Sequence, residues 1–160
     1  MIKNLFYDVL EHLLTDKYFS EFQYRKRDCR LIRIDSQGFE AIEFQYWDGF
    51  DLLRDKRAIV VKRLYLKRFD VLHLWFEKFS FKTKSDQRDN YSVGFDGSML
   101  EKQNEFYFLL DNDDRQKDIE RLKKEIITNS TNIFNKFGNL QALYEYQINP
   151  ILNHQMKLPD

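Results

Sequence analysis

Cysteine is almost absent from the sequence. Cys29 is the single cysteine in a chain of 160 residues, and the three histidines, His12, His73 and His154, lie far apart. One thiol cannot form an internal disulfide, and with scattered histidines it cannot form a zinc cluster. Disulfide-rich scaffolds and structural zinc modules are therefore excluded, and we expect the protein in the reducing cytoplasm.

Long apolar runs are absent as well. No uncharged segment approaches the roughly 18 residues that a membrane-spanning helix needs. At the N-terminus, Lys3, Asp8 and Glu11 interrupt the apolar core that a signal peptide requires. We therefore expect neither a membrane span nor an export signal, and no membrane among the partners.

Glycine and proline are scarce, with five and two residues respectively. Because these residues punctuate loops, their scarcity predicts that most of the chain lies in helices and strands. Hydrophobic residues make up 42% and charged residues 32%, a balance that permits a real core. At this length we expect one domain over residues 1–152 and a loose C-terminal tail over residues 153–160.

The signatures of the common enzyme classes are missing too. The sequence contains no GxGxxG, Walker loop, HExxH, CxxC or GxSxG motif, so we expect no cofactor, no metal and no catalytic site. One catalytic alternative stays open. Asp70 and His73 lie three residues apart, so on a helix the carboxylate could orient the imidazole as the general base of a weak hydrolase. Such pairs are also common on ordinary helix surfaces.

Hydrophobic periodicity predicts an N-terminal helix followed by strands. Apolar residues from Ile2 to Leu14 repeat at helical spacing. The segment Cys29–Ile34, the turn DSQG and the alternating segment Phe39–Trp47 together indicate a hairpin. Asp48-Gly49 is a second turn signal, and Arg57–Leu66 then predicts a third strand with a β-branched centre.

The second half of the chain completes an α+β pattern. A helix is predicted from about Arg68 to Phe79, with a continuing strand as the alternative. Tyr91–Phe95 and Glu105–Leu110 favour two more strands, and a long helix then ends at Gly138, just before another begins. We therefore predict an antiparallel sheet of about five strands with an N-terminal helix, one inserted helix and a C-terminal helix pair.

The inserted helix is rich in aromatic residues. The segment RFDVLHLWFEKFSF, Arg68 to Phe81, holds five aromatic rings in fourteen positions. Leu72, Phe76 and Phe79 share one helix face, and we expect that face to pack against the sheet as core. The alternative is an exposed surface for a protein partner, formed with the polar loop that follows. Because Trp, Arg and Tyr dominate interface energetics, its candidate residues are Trp75, Arg88 and Tyr91.

Positive charge is concentrated between Tyr24 and Arg68, where 12 Lys and Arg residues outnumber 7 Asp and Glu residues, a net charge of +5. Single-strand binding uses aromatic rings over a cationic sheet, so this segment suggests a nucleic-acid-binding module as an alternative function. Its candidate residues are Arg30, Arg33, Arg63 and Tyr65. Cross-strand pairing of the arginines with glutamates on a solvent face explains the same pattern, and we favour that interpretation.

The order of elements and the ending IFNKFGNLQALYEY (Ile133–Tyr146) resemble a group of small uncharacterised bacterial α+β proteins. Some members of that group are immunity or accessory partners of bacterial toxins. The resemblance implies a non-enzymatic, immunity-like binding protein and supplies no catalytic residue. We therefore expect a cytoplasmic protein that acts through a protein partner, and the sequence leaves its oligomeric state open.

Overall fold

The fold combines one antiparallel sheet with helices from both ends of the chain. A computed structural model describes residues 2–81, 83, 87, 90–96, 105–110 and 115–150. The helices and strands, in chain order, are α1 (Ile2–Leu14), β1 (Gln23–Arg25), β2 (Arg30–Asp35), β3 (Gly38–Asp51), β4 (Lys56–Phe69), α2 (Asp70–Phe76), β5 (Val93–Asp96), β6 (Glu105–Leu109), α3 (Arg115–Lys136) and α4 (Leu140–Leu143). The predicted α+β class is confirmed.

Strand β4 is the centre of the sheet. β1, β2, β3 and β4 pair in that order, and β5 and β6 both pair with the other edge of β4. β5 covers Leu64–Lys67 and β6 covers Ala58–Lys62, so the two short strands follow one another along one edge. The described residues form six strands, which agrees with the prediction of about five. The additional strand is β1, whose three residues are too few to show an alternating pattern.

Helices α1 and α3 cover one face of the sheet. In the apolar stripe of α1, Phe6, Val9, Leu10 and Leu13 are buried as expected, and Phe6 stacks on Tyr46 at a centroid distance of 4.1 Å. α3 contributes Leu122 and Ile126, which have no exposed area. Because strand side chains alternate between faces, every second residue of β4 enters the same core. These residues include Ile59, Val61, Tyr65 and Phe69.

The C-terminal helix pair also follows the prediction. Asn139 caps α4, because its side-chain oxygen accepts a hydrogen bond from the Ala142 N–H at 2.9 Å. A π-helical turn, Tyr144–Ile148, continues the helix. The predicted tail, residues 153–160, lies outside the described residues.

The segment Asp48-Gly49 is not a turn. β3 continues through both residues to Asp51, and the hairpin turns at residues 52–55. Gly49 lies so close to β4 that a Cβ atom would be 2.3 Å from Val60 Cγ2. The turn prediction is wrong because this glycine permits close packing within a strand, which is the other common reason for a glycine there.

Helix α2 starts where β4 ends. A helix does follow Phe69, but it covers only Asp70–Phe76, seven residues, instead of the predicted Arg68–Phe79. The N–H of Asp70 donates to the carbonyl of Gln37 at 2.7 Å. The Gln37 side chain in turn donates to the carbonyl of Gly138 at 2.9 Å. The start of α2 therefore lies beside the β2–β3 turn and the α3–α4 junction.

Gly38 controls this junction, and we predict that Gly38→Ala lowers the free energy of unfolding by about 2 kcal/mol or more. Its φ of +152° suits glycine, and a Cβ atom would be 2.3 Å from the carbonyl oxygen of Arg68. Urea denaturation measures the effect. Ser36→Ala, an exposed change in the same turn, should cost less than about 0.5 kcal/mol. Equal stabilities of the two variants would contradict the close approach.

Candidate functional site

The aromatic face of α2 is exposed, and the prediction that it packs against the sheet is wrong. Phe76 is 53% exposed and Phe79 is 67% exposed, whereas a core residue would be near zero. Leu72 is half-buried and contacts the edge of the core. The helical spacing correctly predicted a helix in this segment, but the apolar side of that helix faces outward.

The exposed apolar side chains of this region all lie within residues 71–81, and we call them the aromatic patch. Each member is more than half exposed, and the members are Val71, Leu74, Trp75, Phe76, Phe79 and Phe81. Trp75 contacts two other rings, at centroid distances of 5.0 Å to Phe76 and 5.4 Å to Phe79. These rings therefore pack on one another and present a clustered apolar surface to the outside.

The helix layer explains why this face is not buried. One face of the sheet is already covered by α1 and α3, whose buried residues share the core with alternate side chains of β4. α2 is also only two turns long and begins beside Gln37, at the end of β4. Its apolar side therefore has no described element to pack against, except around Leu72.

Of the predicted partner-binding residues, Trp75 belongs to this patch. Trp75 is 57% exposed and Tyr91 is 47% exposed, while Arg88 lies outside the described residues. Further along the chain, the backbone contacts Arg68 of β4. The Arg68 guanidinium donates to the carbonyls of Gln87 and Asn90 at 2.7 and 3.3 Å. Arg68 thus holds the backbone at Gln87 and at Asn90, the residue before Tyr91.

The Asp70–His73 pair does not form the arrangement that a general base needs. The Asp70 carboxylate accepts a hydrogen bond from Arg68 Nε at 2.6 Å, and no hydrogen bond joins it to His73 within the described part of the chain. Partial burial, followed by the positive charge of Arg68, lowers the pKa of His73, and Asp70 offsets only part of this effect. The Asp70 carboxylate therefore forms an ion pair with Arg68 and does not orient the His73 imidazole.

Two of the predicted nucleic-acid-binding residues are ion-paired across strands. Arg30 lies opposite Glu43 in the β2–β3 register, and their charged atoms are 2.5 Å apart. Arg33 lies opposite Glu40 at 2.6 Å and also contacts Glu21 at 3.1 Å. The interpretation of cross-strand Arg–Glu pairing is therefore confirmed for these two arginines.

The other two predicted nucleic-acid-binding residues are inside the protein. Arg63 is 1% exposed and Tyr65 is 0% exposed, so neither can contact a nucleic acid. Arg63 donates to a carboxylate oxygen of Glu125 on α3 at 2.8 Å. The prediction of a solvent face is wrong for this part of β4, because its odd-numbered residues point toward the helices.

A buried ion network lies on the same side of the sheet and was not anticipated from the sequence. Lys67 is 1% exposed and its ammonium group contacts Asp35 and Glu40, the latter at 3.0 Å. Glu40 also pairs with Arg33, so side chains of β2, β3 and β4 share one cluster. The signal that could have revealed this network is the pairing register of β3 with β4, which places Glu40 directly opposite Lys67.

Arg63 should contribute more to stability than Arg30 does. We predict that Arg63→Ala lowers the free energy of unfolding by about 3 kcal/mol, because it leaves Glu125 without a buried charge partner. Arg30→Ala removes a pair near the surface and should cost about 1 kcal/mol. Urea denaturation at neutral pH compares the variants. Equal losses would contradict the assignment of Arg63 to the interior.

The ion network should make stability sensitive to acid. Burial alone would raise the pKa of Asp35, but hydrogen bonds from Lys67 and from the N–H groups of Gln37 and Gly38 hold that pKa below its usual value. The folded state therefore favours the carboxylate, and this contribution is present above the unfolded-state pKa of about 3.9. As the pH falls below that value and through the lower folded-state pKa, the contribution is lost.

We therefore predict that Asp35→Asn lowers stability at neutral pH and flattens the decline of stability below about pH 4. Urea denaturation at several pH values measures both effects. In a Lys67→Met background the same substitution should flatten the decline less, because the bond that stabilises the carboxylate is already missing. An unchanged slope in the single variant would contradict the role of Asp35.

In the described part of the chain, no group of His, Cys, Asp and Glu side chains is arranged to hold a metal ion. None of the helices described is both long enough and apolar enough to cross a membrane. Comparison of the chain with protein-family models, with curated proteins and with solved structures found no match.

Proposed function

We propose that the protein is a non-enzymatic, cytoplasmic binding protein that engages a protein partner through the aromatic patch. The observation that carries this proposal is the exposure of six large apolar side chains within residues 71–81. Soluble proteins seldom expose clustered apolar side chains without a use for them, because such patches promote association. Four of the six residues lie on α2, and a helix is a common way of presenting anchors to a groove.

The chemistry of the patch favours a protein over a polyanion or a lipid surface. Trp75 and its neighbouring rings are of the type that dominates protein interfaces, and their mutual packing limits the conformational entropy lost on binding. The described charges beside the patch are balanced, with Asp70 paired to Arg68 and Glu77 next to Lys78. Phosphate backbones and anionic lipids would require an excess of positive charge.

The partner that fits this surface is a protein with an apolar groove. Val71, Leu74 and Trp75 follow the spacing of helix anchors that insert into such grooves. Phe79 and Phe81 would extend the contact beyond the helix. The chain resembles small uncharacterised bacterial α+β proteins, some of which are immunity or accessory partners of toxins, so the class of partner to test first is a bacterial toxin.

The alternative functions have less support. A nucleic-acid-binding surface on the basic strands would need Arg63 and Tyr65 outside, but both are buried. Arg30 and Arg33 are neutralised by glutamates. A hydrolase built on His73 would lack the carboxylate that orients its imidazole.

We predict that Trp75→Ala weakens partner binding at least tenfold, or by about 2 kcal/mol, without destabilising the fold. A photo-crosslinking residue at Phe79 first identifies the partner in native cells, and calorimetry with the purified partner then gives the affinity. The free energy of unfolding should change by less than about 1 kcal/mol, because Trp75 is mainly exposed.

Two variants serve as controls. Leu53→Ala removes an apolar side chain that is even more exposed than Trp75, at the far end of the β3–β4 hairpin, and should leave partner affinity unchanged. His73→Gln should leave both folding and affinity nearly intact. A loss of stability above about 2 kcal/mol in Trp75→Ala would show that the patch is covered by the chain itself. If the wild type binds anionic vesicles and Trp75→Ala does not, the patch would be assigned to a membrane surface and not to a protein partner.

A further inference from the structure

The C-terminal part of strand β3 pairs with another strand on one side only. β2 pairs with β3 as far as Glu43, and the N–H of Phe44 makes the last bond in that direction, to the carbonyl of Cys29 at 2.9 Å. β3 then continues to Asp51, held by β4 alone. Within the described residues, the segment from Gln45 to Asp51 therefore lacks a second strand neighbour.

Backbone alternation shows which groups this edge presents. In an antiparallel ladder, successive residues direct their N–H and C=O groups to opposite sides. Because Phe44 bonds toward β2, the outward groups beyond it belong to Tyr46, Asp48 and Phe50. The structure gives these backbone groups no hydrogen-bond partner among the described residues. The edge thus offers a row of donors and acceptors whose geometry matches an extended strand and no other kind of ligand.

The edge lacks the devices that normally prevent strand addition. Lysine, proline and a very short strand protect most natural edges, but the sequence from Phe44 to Asp51 contains neither lysine nor proline. The charge of Asp48 is neutralised by Arg57, at 2.5 Å within the same hairpin. Exposed apolar side chains lie along and beyond the edge, and they are Trp47, Phe50, Leu52 and Leu53.

We propose that this edge pairs with the same edge of a second copy of the chain, in an antiparallel arrangement across a twofold axis. A strand edge is self-complementary, so the same groups serve both copies. A register centred on Gly49 keeps the two Asp48 carboxylates apart, because each lies opposite Phe50 of the other copy, and it ends before the residues that pair with β2. A few edge residues and the hairpin turn give a small interface, so the dimer is weak, with a Kd on the order of 10 µM.

The proposed dimer is independent of the proposed function. The edge lies near the turn of the β3–β4 hairpin, whereas α2 begins at the opposite end of β4. Fourteen residues of strand separate the two ends by roughly 45 Å. Strand pairing therefore leaves the aromatic patch accessible, and either proposal can fail without the other.

The test compares two substitutions at one outward-facing position. Asp48→Pro removes the outward N–H of Asp48, whereas Asp48→Ala keeps it and removes only the carboxylate. Sedimentation velocity over concentrations on the order of 1 to 100 µM should show dimer formation by the wild type and by Asp48→Ala. Asp48→Pro should weaken dimerisation at least tenfold, with circular dichroism confirming that it is folded.

A second pair of variants keeps the test decisive if Asp48→Pro does not fold. Phe50→Asp places a carboxylate opposite Asp48 of the second copy and should also abolish the dimer. Ile34→Asp makes the same kind of change at an exposed apolar residue of β2 and should not. Amide exchange measured by NMR supplies the direct readout, since protection of Tyr46, Asp48 and Phe50 should rise with protein concentration.

Three results would overturn the proposal. The first is a wild type that stays monomeric over the whole concentration range. The second is a dimer that persists in the folded variants Asp48→Pro and Phe50→Asp. The third is concentration-independent exchange at the three outward amides in a protein that does dimerise. Addition of a strand from another protein, without self-association, would assign the edge to a different occupant.

Discussion

The pairing of β3 with β4 is the constraint on which the rest of the structure depends. Its register places Glu40 opposite Lys67 and Phe44 opposite Arg63, and so decides which charges enter the interior. The same register starts at Gly38 opposite Phe69, where the chain has no room for a side chain and turns directly into α2. A shift by one residue would move every side chain of β4 to the other face.

The two ends of this hairpin differ in what they leave exposed. At one end, the helix layer is already complete, so the apolar side of α2 remains outside and its rings pack on one another. At the other end, β3 extends beyond the end of β2 and leaves backbone N–H and C=O groups facing outward. The first surface is defined by side chains and suits a groove, whereas the second is defined by backbone and suits a strand.

Much of the fold could be predicted because local patterns were consistent with it. The stripe of α1, the β-branched centre of β4 and the cap at Asn139 each act over a few residues, and each was recognisable in the sequence. The surroundings of α2 and of Arg63 were not, because they depend on which elements already cover a given face of the sheet. Helical spacing separates the two sides of a helix but does not say which side meets the protein. Similarly, the extension of β3 past Gly49 depends on contact with Val60 in the neighbouring strand.

The position of α2 has a consequence for the evolution of this protein. Phe76, Phe79 and Phe81 make few contacts with the core, so substitutions among them should change the recognised surface at little cost in stability. The residues that place the helix, Gly38 and Arg68, are by contrast fixed by close backbone contacts and hydrogen bonds. Selection can therefore diversify the surface while the scaffold stays constant, and related chains should vary most between residues 71 and 81.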